Sequence, residues 1–126
     1  MANEAILIVE TEKPINMTCA DGTGIEKGAV CKLTSPMTAI LSDGDSDYLA
    51  GIAQSEKIAN TGVASVSIYR GGVFRVLLSG SVTAGQSIAT HGNNEVIQST
   101  TNPCGIALES GTDENILVEL NFGAQS

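Results

Sequence analysis

Tryptophan is absent from this chain of 126 residues, and two tyrosines and two phenylalanines supply all its aromatic side chains. A core must therefore be built from Val, Ile, Leu and Ala, and few platforms remain on which sugars or bases could stack. Cations are scarce as well. Six Lys and Arg face fourteen Asp and Glu, for a formal charge of −8. Phosphate backbones and anionic membranes would be repelled, which argues against nucleic-acid and membrane partners. There is one histidine, His91, so no His-based metal cluster can form within one chain. The three cysteines, Cys19, Cys31 and Cys104, are odd in number and show no C-x-x-C spacing. They read as reduced, buried thiols rather than a disulfide framework or a zinc site, which fits folding in a cytosol. The apolar run Ala5–Val9 follows no basic segment and is too short for a signal peptide or a membrane span. The expectation is a chain neither exported by that route nor anchored.

What the chain does have is a phrase stated twice. The first statement contains Ile25-Glu26-Lys27-Gly28, then Ala50-Gly51-Ile52-Ala53, then Val66-Ser67-Ile68. The second contains Val82-Thr83-Ala84-Gly85, then Cys104-Gly105-Ile106-Ala107, then Ile116-Leu117-Val118. Pseudo-repeats over about 24–70 and 80–122 follow. Gly28 and Gly85 each end a short polar step, where a turn at positive φ is expected. Gly51 and Gly105 each sit inside an apolar phrase, where a bulge, a bend or a close backbone approach is expected. All four read as barrel corners.

Strand signals recur at short intervals. They cover residues 5–10, 29–34, 37–41, 49–54, 63–69, 73–78, 86–90, 95–98, 104–108 and 115–121. Arg70-Gly71-Gly72 reads as the turn of a hairpin over 63–78, and His91-Gly92-Asn93-Asn94 as another turn. Residues 17–24 read as a turn-rich connection, and residues 54–60 as the one short helical turn. The fold class is all-β: a compact small barrel or sandwich of about ten short strands in two loosely repeated halves. Residues 1–16 form an N-terminal arm with the first strand, and residues 17–126 a single β-barrel domain.

Signals of chemistry each fail at a named position. Asp43, Asp45 and Asp47 open like a calcium loop, but Tyr48 stands where Gly is needed and Gln54 where Glu is needed. They read as a solvated acidic turn. His91 reads as an exposed turn residue, and no G-x-S-x-G elbow or phosphate loop occurs. No cysteine has a sequence neighbour arranged to lower its pKa. Catalytic, cofactor-binding and metal-binding residues are therefore expected to be absent. Arg75 shares a strand face with Val73 and Leu77. It marks either a subunit interface or an outward edge charge that discourages pairing.

The stretch Gly71-Gly72-Val73-Phe74-Arg75-Val76, followed by Val82-Thr83-Ala84-Gly85-Gln86-Ser87-Ile88, resembles the capsid cement (decoration) proteins of tailed bacteriophages. Gly105-Ile106-Ala107-Leu108 and Val118-Glu119-Leu120 match that family's late strands, and Ile25 to Val30 with Ala50 to Ala53 match its first half. The resemblance spans roughly residues 22–122. It departs at Gln86, where the family commonly has an acidic residue. It implies a β-barrel without catalytic residues, assembled as a homotrimer on the outer surface of the phage capsid. There it would bridge neighbouring major capsid subunits and stabilise the expanded head. Its place would be the virion, after synthesis in the host cytoplasm. Ile6, Leu7, Ile8 and Val9 are the candidate capsid-contact arm, acting by strand addition. Val73, Phe74 and Arg75 are the candidate trimer interface. The alternative is a glycan-binding or host-surface-binding barrel module drawing on Tyr48, Tyr69, Phe74 and Phe122.

Overall fold

The computed structural model describes residues 4–44 and 47–120. Among them are thirteen strands and no helix. The stretch 54–60 is bends around one bridge rather than a helical turn, because Lys57 pairs with Ile25. Too few residues lie there to repay the cost of nucleating a helix.

The first barrel is closed by five strands in the order β2-β4-β3-β5-β6. These are β2 (Ile15–Thr18), β3 (Val30–Ser35), β4 (Thr38–Leu41), β5 (Leu49–Ala53) and β6 (Ser65–Tyr69). The second barrel uses β7 (Gly72–Ser79), β9 (Ser87–Gly92), β10 (Glu95–Gln98), β11 (Gly105–Ala107) and β13 (Asn115–Leu120). Its strands run β7-β10-β9-β11-β13, and pairing of β13 with β7 closes the ring. Strand β1 (Ile6–Val9) lies antiparallel on β7. Strands β8 (Ser81–Val82) and β12 (Gly111–Thr112) form a small ribbon.

The two barrels share one pairing scheme. Strands β2, β3, β4, β5 and β6 correspond to β7, β9, β10, β11 and β13. The single parallel seam recurs, β2 with β4 and β7 with β10, and the other four seams are antiparallel in both. The Ile25–Lys57 bridge corresponds to the Val82–Gly111 pair. Loop hydrogen bonds repeat too: Gly28 N donates to Ala53 O at 2.9 Å, and Gly85 N to Ala107 O at 2.8 Å. The repeated units span 15–69 and 72–120, wider than the phrases alone define. The boundary at residue 16 falls inside β2.

The hairpin expected over 63–78 does not form. Strand β6 pairs with β2 and β5, whereas β7 pairs with β1, β10 and β13. Arg70-Gly71 is the passage from one barrel to the other. Strand β2 lies where a turn-rich connection was expected. Its Pro14 and Asn16 mask the strand signal, and its pairing partners are distant in sequence.

Each barrel has its own interior, and a shared face joins them. Met17, Cys19, Ile25, Ala29, Cys31, Ala39, Ala50, Ala53, Val66 and Ile68 fill the first barrel. The second core contains Phe74, Val76, Leu78, Ile88, Val96, Ile116 and Val118, and it also takes in Val30, Leu49, Ile52 and Tyr69 from the first barrel. Strand β5 is buried at all five positions because one face looks into its own barrel and the other onto the neighbour. That explains its continuous apolar run. Phe74 meets Tyr69 edge-on at 5.9 Å between centroids.

Gly51 and Gly105 permit close approach at equivalent places. A Cβ on Gly51 would run into the Tyr69 carbonyl oxygen, and one on Gly105 into that of Glu119. Gly105→Ala is expected to cost about 3 kcal/mol through forced backbone displacement, read as a lowered urea midpoint. A midpoint equal to wild type would refute the close approach.

The hairpin between β9 and β10 turns at Asn93-Asn94, both at positive φ (49° and 61°). Asparagine tolerates that region. The buried side chain of Asn94 reaches back to the first barrel. Its Oδ1 accepts from Val30 N at 2.6 Å, and its Nδ2 donates to Gly28 O at 2.9 Å. Asn94→Ala is expected to destabilise by about 3 kcal/mol, since it strands a buried N–H and places Ala at positive φ. Asn94→Gly keeps the turn and isolates the hydrogen-bond loss, so its urea midpoint should fall between those of wild type and the Ala variant.

Candidate interaction surface

Strand alternation divides β7 into two faces. Gly72, Phe74, Val76 and Leu78 are buried, while Val73, Arg75, Leu77 and Ser79 look outward. Pairing on both sides extends the outward face into two rows across four strands. One row runs Ile6, Arg75, Leu117, Leu108, and the other Val9, Val73, Glu119, Ile106. Directly paired residues share a face, so these side chains are neighbours. Ile6 is 53% exposed, Val9 51%, Leu108 44% and Ile106 39%.

Polar contacts pin the middle of this face. Arg75 Nη1 lies 3.1 Å from Glu109 Oε1, which also accepts from Leu117 N at 2.9 Å. Arg75 is thus an interior position of the sheet with strands on either side, and the edge-charge reading is corrected. Phe74 is also corrected: it is 1% exposed and belongs to the core. Leu7 points the same way, packing against that core opposite Phe74. Ile8 sits at the bulge of β1 and is exposed. The arm residues Ile6 and Val9 and the interface residues Val73 and Arg75 therefore lie on one continuous surface.

A family model described as phage cement protein matches residues 9–121. The chain belongs to the phage cement protein family. Its fold is also similar to a solved structure, the N base of head fiber gp8.5 in bacteriophage phi29. The TM-score is 0.59, with 90% of this chain and 97% of that chain covered, at 8% identity. At that identity the likeness is one of fold. No curated protein matches the chain.

The other candidate residues of this cement protein are tied into structure. Asp43 forms an ion pair with Lys32 at 2.7 Å, and the hydrogen bond from Lys32 holds its carboxyl below the usual range. Asp47 Oδ2 accepts from Ser42 Oγ at 2.9 Å and from Gly44 N at 3.2 Å. Asp47 N donates to Thr90 Oγ1 at 2.8 Å, tying the loop to the second barrel. Asp45 lies outside the described residues. Among the described residues no three His, Cys, Asp or Glu side chains gather to hold a metal. His91 belongs to β9 and is half-buried, so its expected place in an exposed turn is corrected. Of the aromatics, Tyr69 and Phe74 are buried and Tyr48 is exposed, while Phe122 lies outside the described residues.

Leu117, Leu108, Ile106 and Asn94 were not singled out by the sequence. The first three become visible only when the register of β13 on β7 is known. For Asn94 the signal was present as the dipeptide Asn-Asn in a turn, without any sign of what it would grip.

All three cysteines are buried and free. Burial pushes the Cys31 thiol up to about 12, helped by nearby Cys19, and burial does the same for Cys104. A thiol whose folded value is raised favours the native state below its unfolded value and loses that advantage as pH climbs through the folded one. Stability is therefore expected to fall above about pH 9, by up to about 1.4 kcal/mol per pH unit for each of these two thiols. Urea midpoints at pH 7.5 and 10.5 read this loss. The folded protein should resist thiol alkylation at pH 8 until denaturant is added; rapid labelling of Cys31 or Cys104 would contradict their burial.

Proposed function

We propose that this cement protein binds the outer surface of the expanded phage head as a homotrimer. It bridges neighbouring major capsid subunits and stabilises the shell mechanically, without catalysing a reaction. The observation that carries the reading is the two-row face, apolar at six of its eight positions, in a chain of the phage cement family. Scattered exposed apolar residues are ordinary on a protein surface, but contiguous ones across four strands mark an interaction site.

The face serves as the contact between copies. A three-fold ring needs a head-to-tail interface, in which this face meets a different patch on the next copy. A specific contact of this kind buries on the order of 1,000 Å² or more in total. Ile6, Val9, Val73 and Arg75 take part, with Ile8 alongside, whereas Leu7 and Phe74 hold the sheet from beneath. Three modest capsid contacts per trimer then act together, so avidity exceeds the affinity of each. The charge of −8 keeps the protein soluble and disfavours DNA and anionic lipid. Its place of action is the virion surface, after synthesis in the host cytoplasm.

Deleting residues 1–12 would remove β1 and uncover the flank of β7, so point substitutions test the reading better. Ile106→Asp puts a carboxylate beside Glu119 on the exposed face. It should convert trimers to monomers by light scattering and weaken co-sedimentation with expanded, empty capsids. Its melting midpoint should fall, through the like charge opposite Glu119 and the lost assembly, while its far-UV circular dichroism at 25 °C should match wild type and show that the fold is retained. An Ile106→Asp protein that remained trimeric would overturn the interface. A wild-type protein that failed to sediment with capsids would overturn the function.

A further inference from the structure

The shared pairing scheme makes the second barrel a template for the first. Strand β7 carries β13 along one side. Along the other side it carries two strands end to end, β1 opposite Val73–Arg75 and β10 opposite Leu77–Ser79. The corresponding strand β2 has β6 along one side, from Ile15 to Thr18. On its other side β4 reaches only Thr18. Among the described residues no strand pairs there with Ile15 or Asn16. Among the described residues nothing fills beside β2 the position that β1 fills beside β7.

The correspondence can be followed residue by residue. Met17 pairs with Val66 as Val76 pairs with Ile116, which puts Ile15 in the place of Phe74, Asn16 in that of Arg75 and Pro14 in that of Val73. Thr18 N donates toward β4, to Met37 O at 2.6 Å. Backbone groups alternate sides along a strand. The N–H and C=O of Asn16 therefore face the position equivalent to that of β1, as does the carbonyl of Pro14.

The side chains tell the same story. Phe74, with Leu7 opposite it, is 1% exposed, whereas its counterpart Ile15 is 40% exposed. At the same end of the barrel, Met37 is 52% exposed and held at φ 52° in the Pro36-Met37 turn. Such a position usually goes to Gly or Asn; its counterpart in the second barrel is Asn94. A local rule is thus broken where an apolar side chain is displayed next to an unpaired backbone edge.

We infer that the free edge of β2 at Pro14–Asn16 is a strand-acceptor site. Its occupant is an extended, β-branched segment of the major capsid protein, running antiparallel to β2 with an apolar residue over Ile15. The direction and the side-chain pattern follow from β1, whose Ile-Leu-Ile-Val sequence fills the equivalent slot. The β1 of a second copy is already engaged by its own β7, and the capsid-binding reading supplies the major capsid protein as the source of the segment. The inference rests on the capsid-binding reading above and names where that binding occurs. Main-chain hydrogen bonds supply the affinity, and the cover over Ile15 supplies the selectivity.

Asn16→Pro removes the N–H that faces the slot and spares the backbone bonds to β6; Asn16→Ala keeps that N–H, and both variants lose the side-chain oxygen that accepts from Ser67 Oγ at 2.9 Å. Both should match wild type in light scattering and should melt within about 1 kcal/mol of it, having lost the same side-chain bond to Ser67. In co-sedimentation with expanded, empty capsids, Asn16→Pro should bind about tenfold more weakly, and Asn16→Ala should bind as wild type does. Hydrogen exchange on the wild-type protein should show residues 13–18 protected when capsid-bound, a measurement that holds even if Asn16→Pro misfolds. If Asn16→Pro decorates as tightly as wild type, or exchange at 13–18 is unchanged on binding, the acceptor site is overturned while the function stands. If wild type itself fails to bind capsids, both are overturned. If Asn16→Pro changes the oligomeric state instead, the occupant is a second copy and the assignment is overturned.

Discussion

The side-chain amide of Asn94 joins the two barrels at the level of their backbones. It accepts from Val30 N and donates to Gly28 O, partners 64 and 66 positions away in the sequence. Apolar packing between the barrels, through Val30, Leu49, Ile52 and Tyr69, is strong but tolerant of sliding. Directional bonds to the backbone are not. They fix where β3 lies, and β5 pairs with β3, so the face onto which the second barrel packs is set by one turn residue. The turn can supply such a residue because asparagine accepts positive φ. The Asp47–Thr90 bond adds a second polar tie across the same junction.

Repetition of fold has not produced repetition of surface. Barrel one buries the outer residues of β5 against barrel two, so Leu49 and Ile52 count as core. At the corresponding places the second barrel has Pro103 and Ile106, and among the described residues Ile106 is left 39% exposed. Conversely, the second barrel has Asn94 and the lid β1 where the first has Met37 and an open edge. A tandem of two similar units necessarily ends in two unlike faces. One chain thus presents two distinct surfaces without needing two folds.

The all-β class and the existence of a repeat were legible in the sequence because alternation and turn residues are local signals. The phrases around Gly28, Gly51, Gly85 and Gly105 lay at equivalent positions for the same reason. Pairing partners were not legible. Arg70-Gly71-Gly72 has hairpin chemistry, yet β7 finds its partners at β1, β10 and β13, and no local rule distinguishes a hairpin from a crossover between barrels. Phe74 and Arg75 were grouped as one interface although neighbours on a strand point opposite ways, and the choice of buried side waited on the register. For Arg75 an edge charge and an interface position read alike, because its flanking strands come from the far ends of the chain. Asn94 and Asn16 carry their importance in backbone groups they touch or expose, which residue type alone does not reveal.

The first and last strands, β1 and β13, lie on opposite sides of β7 and run parallel to each other. A tension drawing the start of β1 away from the end of β13 acts along the strands. It shears both ladders against β7, loading their hydrogen bonds together. Unzipping from one end, in which bonds break singly, is not available to a force in that direction. The molecule therefore has a stiff axis and a soft one, and a shell under outward pressure would be held best by attachments aligned with the stiff one.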